Sequence, residues 1–114
     1  MWDGRLKQPA IYFLASAPNG ALYTGVTSAL YDRMIEHRHG VFEGFTKKYG
    51  IKILVYFEPF DTMAEGIQRE KRLKKWNRLW KLRLIEQLNP TWAELFDPEH
   101  GVREVGPGGQ RRTE

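Results

Sequence analysis

Five side chains of this 114-residue chain have the types and spacing to move protons and hold charge at a phosphate. Two are phenols, Tyr12 and Tyr23, with ten residues between them. Arg33 and His37 stand four apart and share a face if they lie on a helix. Glu70 is the only acid between Gly66 and Arg83, a stretch with eight lysines and arginines. Hydrolysing a phosphodiester needs an activated water in line with the leaving oxygen, and cationic groups for the charge that builds on the equatorial oxygens. A carboxylate can hold Mg²⁺ for the second task, because magnesium keeps several waters and takes only one or two protein carboxylates. A free phenol titrates near 10, so phenolate at pH 7 costs about 4 kcal/mol unless neighbouring cations lower it. Each residue also has an ordinary reading. Tyrosines pack in strands, a helical arginine is commonly solvated, and Glu70 can pair with Lys74 at i+4.

The elements that must position these groups are legible in outline. Ala10 to Ala15 reads as a strand, Pro18-Asn19-Gly20 as a hairpin turn, and Ala21 to Val26 as the return strand. Tyr12 and Tyr23 then reach a common face of the sheet. Thr27 or Ser28 caps a helix running to about Arg38, with Leu30, Tyr31, Met34 and Ile35 as its apolar stripe and Gly40 as its stop. Ile51 to Phe57 is nearly saturated with apolar residues, which predicts a central strand buried on both faces. Thr62 and Glu65 form a capping box for a long helix that breaks near Asn77 and ends at Asn89-Pro90. On that helix Ile67 and Leu73 place Glu70 along the inward stripe. Thr91 to Phe96 predicts a short last helix opening on a second Thr-x-x-Glu box. The expected organisation is a lead-in over residues 1 to 8, one domain over 9 to 97, and a tail without fixed structure over 98 to 114. The fold class is α+β, a three-stranded antiparallel sheet flanked by helices.

At this point the chain resembles the GIY-YIG endonuclease superfamily. The likeness rests on Tyr12, on Tyr23-Thr24-Gly25, on Arg33 eight positions beyond that glycine, and on Glu70 after the third strand. Gly44-Phe45-Thr46-Lys47 and Arg69-Glu70-Lys71 with Lys74-Lys75-Trp76 bring it nearest to small stand-alone bacterial members. It implies a Mg²⁺- or Mn²⁺-dependent endonuclease with one divalent ion at Glu70. Tyr12 or Tyr23 would be the general base or the group that positions the water. Arg33 would steady the scissile phosphate, with His37 binding phosphate or assisting proton transfer. Nucleic-acid contacts are expected at Gly25, Lys47, Lys48, Arg69, Lys71, Lys74 and Lys75. Two positions depart from the family pattern. Ala10 replaces the first triad's glycine, and Val26 stands where several catalytic relatives have a lysine.

Composition bounds the rest. The chain has no cysteine, which leaves a metal to oxygen or histidine ligands and fits a reducing cytoplasm. There is no run of membrane-spanning length, and the net charge of +4 leans toward a polyanion. DNA is the expected partner, with RNA as the other polyanion, no membrane, and a protein that could supply targeting. A small domain has little surface for reading a long site, so structure-specific or weakly sequence-specific cutting, in repair or recombination, is the expected activity. The alternative is a nucleic-acid-binding module that kept the fold and cleaves weakly or not at all. Trp76 and Trp80 are read as helix-packing residues in preference to base-stacking platforms.

Overall fold

The computed structural model describes residues 7–39 and 48–102. The unbroken apolar run from Ala10 to Ala15 is the middle strand, β1, with all six residues at 0% exposure. β2 (Leu22–Thr27) and β3 (Ile53–Pro59) pair with it antiparallel on either side, in the order β2-β1-β3. Between β1 and β2 the turn closes where the Gly20 N–H donates to the Ala17 carbonyl at 2.8 Å, with Asn19 at φ 59°. Asparagine tolerates that left-handed conformation because its short polar side chain can bond locally.

The expectation that the third strand is central fails: β3 is an edge. The first part of its outer rim is nevertheless paired. The Leu54 N–H donates to Glu94 Oε2 at 2.8 Å, the Leu54 carbonyl accepts from the Leu95 N–H at 2.9 Å, and the Val55 carbonyl accepts from Asn89 Nδ2 at 3.0 Å. A strand covered this way has neighbours on both faces and along its edge, so it carries the apolar run of a central one. The same bonds explain why residues 91–96 form no helix. Glu94 is drawn to β3 and does not close a capping box, while Trp92 takes φ 60° and buries its ring. Asn89, which ends the preceding helix, is fully engaged by Val55, Ala93 and Ile85 and has a structural role.

Helix α1 (Leu30–Arg38) buries Leu30 and Met34 as its pattern predicts. Its start differs from the expectation. Thr27 ends β2 and accepts the Ala29 N–H at 3.1 Å, and Ala29 occupies the cap position without a side-chain bond. The expected stop at Gly40 lies outside the described residues. Helix α2 (Met63–Lys75) opens on the expected reciprocal box of Thr62 and Glu65. The predicted break is present: Trp76 caps the end of α2, and Asn77 Oδ1 accepts the Trp80 N–H at 2.9 Å to begin α3 (Arg78–Leu88). A last hairpin pairs β4 (Phe96–Asp97) with β5 (Gly101–Val102), and Val102 is buried. The packed unit therefore passes the expected boundary at residue 97, while residues 103–114 lie outside those described.

Alternation along β1 divides the core in two. Ala10, Tyr12 and Leu14 meet α1 and the last hairpin on one face of the sheet. Ile11, Phe13 and Ala15 meet Leu73 of α2 and Ile85 of α3 on the other. No described helix is long and apolar enough to cross a membrane.

Candidate active site

Antiparallel register puts Tyr12 opposite Gly25 and Leu14 opposite Tyr23, so the two phenols are diagonal neighbours on the face that α1 covers. α1 adds His37 to them. The ring centroids of Tyr12 and Tyr23 are 6.3 Å apart, those of Tyr12 and His37 6.2 Å, and those of Tyr23 and His37 6.3 Å. Three groups able to carry a proton thus form a triangle of nearly equal sides. Arg33 lies one turn before His37 on α1, its Nε 3.5 Å from Glu36 Oε1, and its guanidinium acts on the Tyr12 hydroxyl.

Gly25 has a specific task here. A Cβ at this position would stand 2.6 Å from both Cζ and the hydroxyl oxygen of Tyr12. The phenol fills the space that a side chain would take, so the glycine is a mould for Tyr12 before it is a surface for phosphate. The irregularity in pairing lies elsewhere, between Phe13 and Leu14 against β3.

Burial pushes the Tyr12 phenol up to about 12, against a smaller downward pull from Arg33. Its hydroxyl is enclosed and finds no hydrogen-bond partner of standard geometry, although Arg33 is close enough to favour the phenolate. His37 moves the other way. Burial, then the charge of Arg33, holds it below its ordinary value, so it is neutral at pH 7.

Glu70 approaches from another element. α2 packs on the Ile11 and Phe13 face and lies chiefly over β2, which is an edge strand. The Glu70 side chain is 13% exposed, and its Oε2 is 2.7 Å from Lys74 Nζ. The hydrogen bond to Glu70, Glu70's charge and then Tyr23 all raise the pKa of Lys74. The helix that carries Glu70 and Lys74 thus lies on the sheet face opposite the one α1 covers, with Tyr23 of the edge strand near enough to act on Lys74. Ile67, which the sequence places on the inward stripe, is instead 37% exposed; Gly66 and Leu73 form that stripe, with Glu70 on its flank.

The basic residues divide. Arg69 was expected to contact phosphate, but its Nε and Nη2 donate to the two oxygens of Glu58 at 2.9 and 3.0 Å, and Tyr56 donates to the same carboxylate. It is a clamp between α2 and β3. Nothing local in sequence announces a partner eleven residues away. Lys71 and Lys75 are exposed, Lys48 lies over the Tyr49 ring at 5.5 Å, and Lys47 falls outside the described residues. Lys81, not singled out by sequence, joins this region, its pKa lowered by burial and then by the charge of Lys74.

A phenol enclosed without a partner gives a stability prediction. Tyr12→Phe is expected to raise stability at pH 7 by about 1 kcal/mol, because it removes an unsatisfied buried hydroxyl. With the folded pKa at about 12 and the unfolded one near 10, the native state keeps its proton where the unfolded chain has released it. That contribution is whole below pH 10 and is lost as pH rises from 10 to 12, roughly 3 kcal/mol in all. Urea midpoints of the two proteins across this window check it. An equal alkaline loss in the phenylalanine variant would contradict the assignment.

With this geometry in hand, relatives can be compared. A model of the GIY-YIG catalytic domain matches residues 8–83. A UPF0213 protein of Staphylococcus saprophyticus is 36% identical over 75 residues, covering 66% of this chain and 92% of that protein. UPF0213 proteins of Staphylococcus haemolyticus and Staphylococcus aureus are 32% and 33% identical over the same length. No solved structure matches the chain at a significant level. The matched segment is more than half of the chain and contains Tyr12, Tyr23, Arg33, His37 and Glu70. This chain belongs to the GIY-YIG family, whose catalytic domain is that of a nuclease.

Proposed function

We propose that this protein is a divalent-metal-dependent endonuclease that hydrolyses DNA phosphodiesters at branched or otherwise irregular sites, in repair or recombination. The observation that carries the reading is the Tyr12 hydroxyl, buried without a hydrogen bond of standard geometry and with Tyr23, His37 and Arg33 beside it. A fold keeps such a group against its stability when the group has work to do.

The roles follow from position and, for Tyr12 and His37, from the direction in which burial moves them. Tyr12, at about 12, keeps its proton at neutral pH, and its enclosed hydroxyl becomes a donor to a phosphate oxygen or the attacking water only when substrate binding opens the cluster around it. His37 is neutral and able to accept a proton, so the water's proton leaves through the His37 and Tyr23 side of the triangle. Arg33 grips the phosphate with a planar fork of donors and opposes the charge that grows on it.

For a metal, the donor set is one carboxylate. Among the described residues no group of three or more His, Cys, Asp or Glu side chains comes together to hold an ion. Glu70 alone fits Mg²⁺ or Mn²⁺ when water and substrate phosphate complete the shell. Bound there, the ion would neutralise charge on the phosphate. Lys74 holds Glu70 otherwise and has to yield the carboxylate, so metal and DNA are expected to bind together.

The test is a panel of labelled blunt duplex, flap and four-way junction DNA, incubated with Mg²⁺ or with EDTA. Metal-dependent nicking of the branched substrates is expected. Salt-sensitive binding without nicking would leave a nucleic-acid-binding module of the same fold, and no binding at all would remove nucleic acid from the account.

A further inference from the structure

We propose that Trp80 is a stacking platform for one unpaired nucleobase, which directs this protein to DNA with an unpaired nucleotide beside the strand it holds. This rests on the nucleic-acid reading above and names the feature of the substrate that the site selects. Sequence pattern places Trp80 among helix-packing residues, yet the residue is 52% exposed and neighbouring Leu79 is exposed as well. An indole left in water has forgone a large share of its burial energy.

The ring packs against a fixed neighbour. The Asn77 side-chain oxygen accepts the Trp80 backbone N–H at 2.9 Å, which fixes the start of the helix that carries the ring. Trp76 meets Trp80 edge-on, with centroids 5.7 Å apart and planes at 89°. Arg69 lies over the Trp76 ring at 5.3 Å and is itself fixed to Glu58 by two bonds. A platform already fixed loses little entropy when a ligand stacks on it.

Charge selects the occupant. The first turn of α3 has no acid, Arg72, Lys75 and Arg83 are exposed nearby in sequence, and Arg83 follows Trp80 by three residues on the same helical face. An indole among cations fits a polyanion that carries aromatic faces, since stacking supplies affinity for any base while lysine and arginine take the phosphates. Position joins the platform to the chemistry. Lys81, the next residue, lies near enough to Lys74, the partner of Glu70, to feel its charge. The interior of a duplex offers no free base face to Trp80 and each end only the outer face of one terminal pair, whereas a flap or single strand offers a face at every unpaired base.

Fluorescence anisotropy in EDTA, where no cleavage occurs, tests this with labelled flap, single-stranded and blunt duplex DNA on the full chain. Trp80→Ala is expected to weaken flap and single-strand binding about tenfold and to leave blunt duplex unchanged, with Trp80→Phe recovering most of the loss. The slope of log affinity against log salt should be the same in all three proteins, since no phosphate contact is removed. Equal weakening on every DNA, or no weakening on the flap, overturns the proposal. Wild-type protein that binds none of the DNAs overturns the nuclease reading and this one together. Wild-type binding that Trp80→Ala leaves untouched overturns only the platform.

Discussion

Alanine at Arg33 is expected to lower DNA cleavage by about 10²-fold or more, and alanine at Glu70 by at least as much, with the fold intact in both. The two residues are well suited to separating chemistry from stability. Arg33 is half-buried and pairs with Glu36 at the surface, where ion pairs contribute little. Glu70 pairs with a Lys74 that is more than half exposed, so the freed ammonium is solvated when the acid is removed. Losing Arg33 also removes the cation that draws the Tyr12 phenol down, which leaves burial to raise it further. Arg33→Lys restores charge without the fork, so it is expected to recover only part of the rate. Single-turnover rates with enzyme in excess, beside urea midpoints at pH 7, provide the check. A variant at either position that keeps most of the wild-type rate takes that residue out of the mechanism.

Sequence carried the fold as far as its signals were local. The Asn19 turn, the Thr62 and Glu65 box and the break at Asn77 are written within a few residues of where they act, and each is present. The third strand misled because apolar saturation reports neighbours, not position in a sheet; the bonds from Asn89, Glu94 and Leu95 give an edge strand the surroundings of a central one. Residues 91–96 misled because Glu94 satisfies a strand N–H, a competitor that a capping pattern does not reveal. For the site, period-two alternation was enough to place Tyr12 and Tyr23 on one face, and helical spacing enough to place Arg33 beside His37. The i+4 pairing of Glu70 with Lys74 was also legible, though not that Tyr23 stands near enough to act on Lys74. Arg69 shows the limit: its charge reads as phosphate binding until Glu58, eleven residues earlier on β3, takes two of its donors.

Gly25→Ala is expected to damage stability and activity together, through one contact. Gly25 is not among the residues with positive φ, so its backbone does not require glycine and any harm comes from the side chain alone. That side chain would begin 2.6 Å from Tyr12 Cζ. The Tyr12 ring has little room to retreat, being fully buried with Tyr23 and His37 against it at about 6 Å between centroids. Overpacking of this kind costs about 2 to 3 kcal/mol, roughly 10 to 20 °C in Tm for a domain of this size. Cleavage is expected to fall by about 10²-fold, because a displaced phenol loses its geometry with Arg33 and His37. A double-mutant cycle with Tyr12→Ala isolates the cause. If the ring is what the glycine accommodates, the methyl group costs almost nothing once the ring is gone, and the cycle returns a coupling of at least 1 kcal/mol. Additive losses would mean that the glycine serves the strand and not the tyrosine, and the moulded phenol would no longer account for the second triad's glycine.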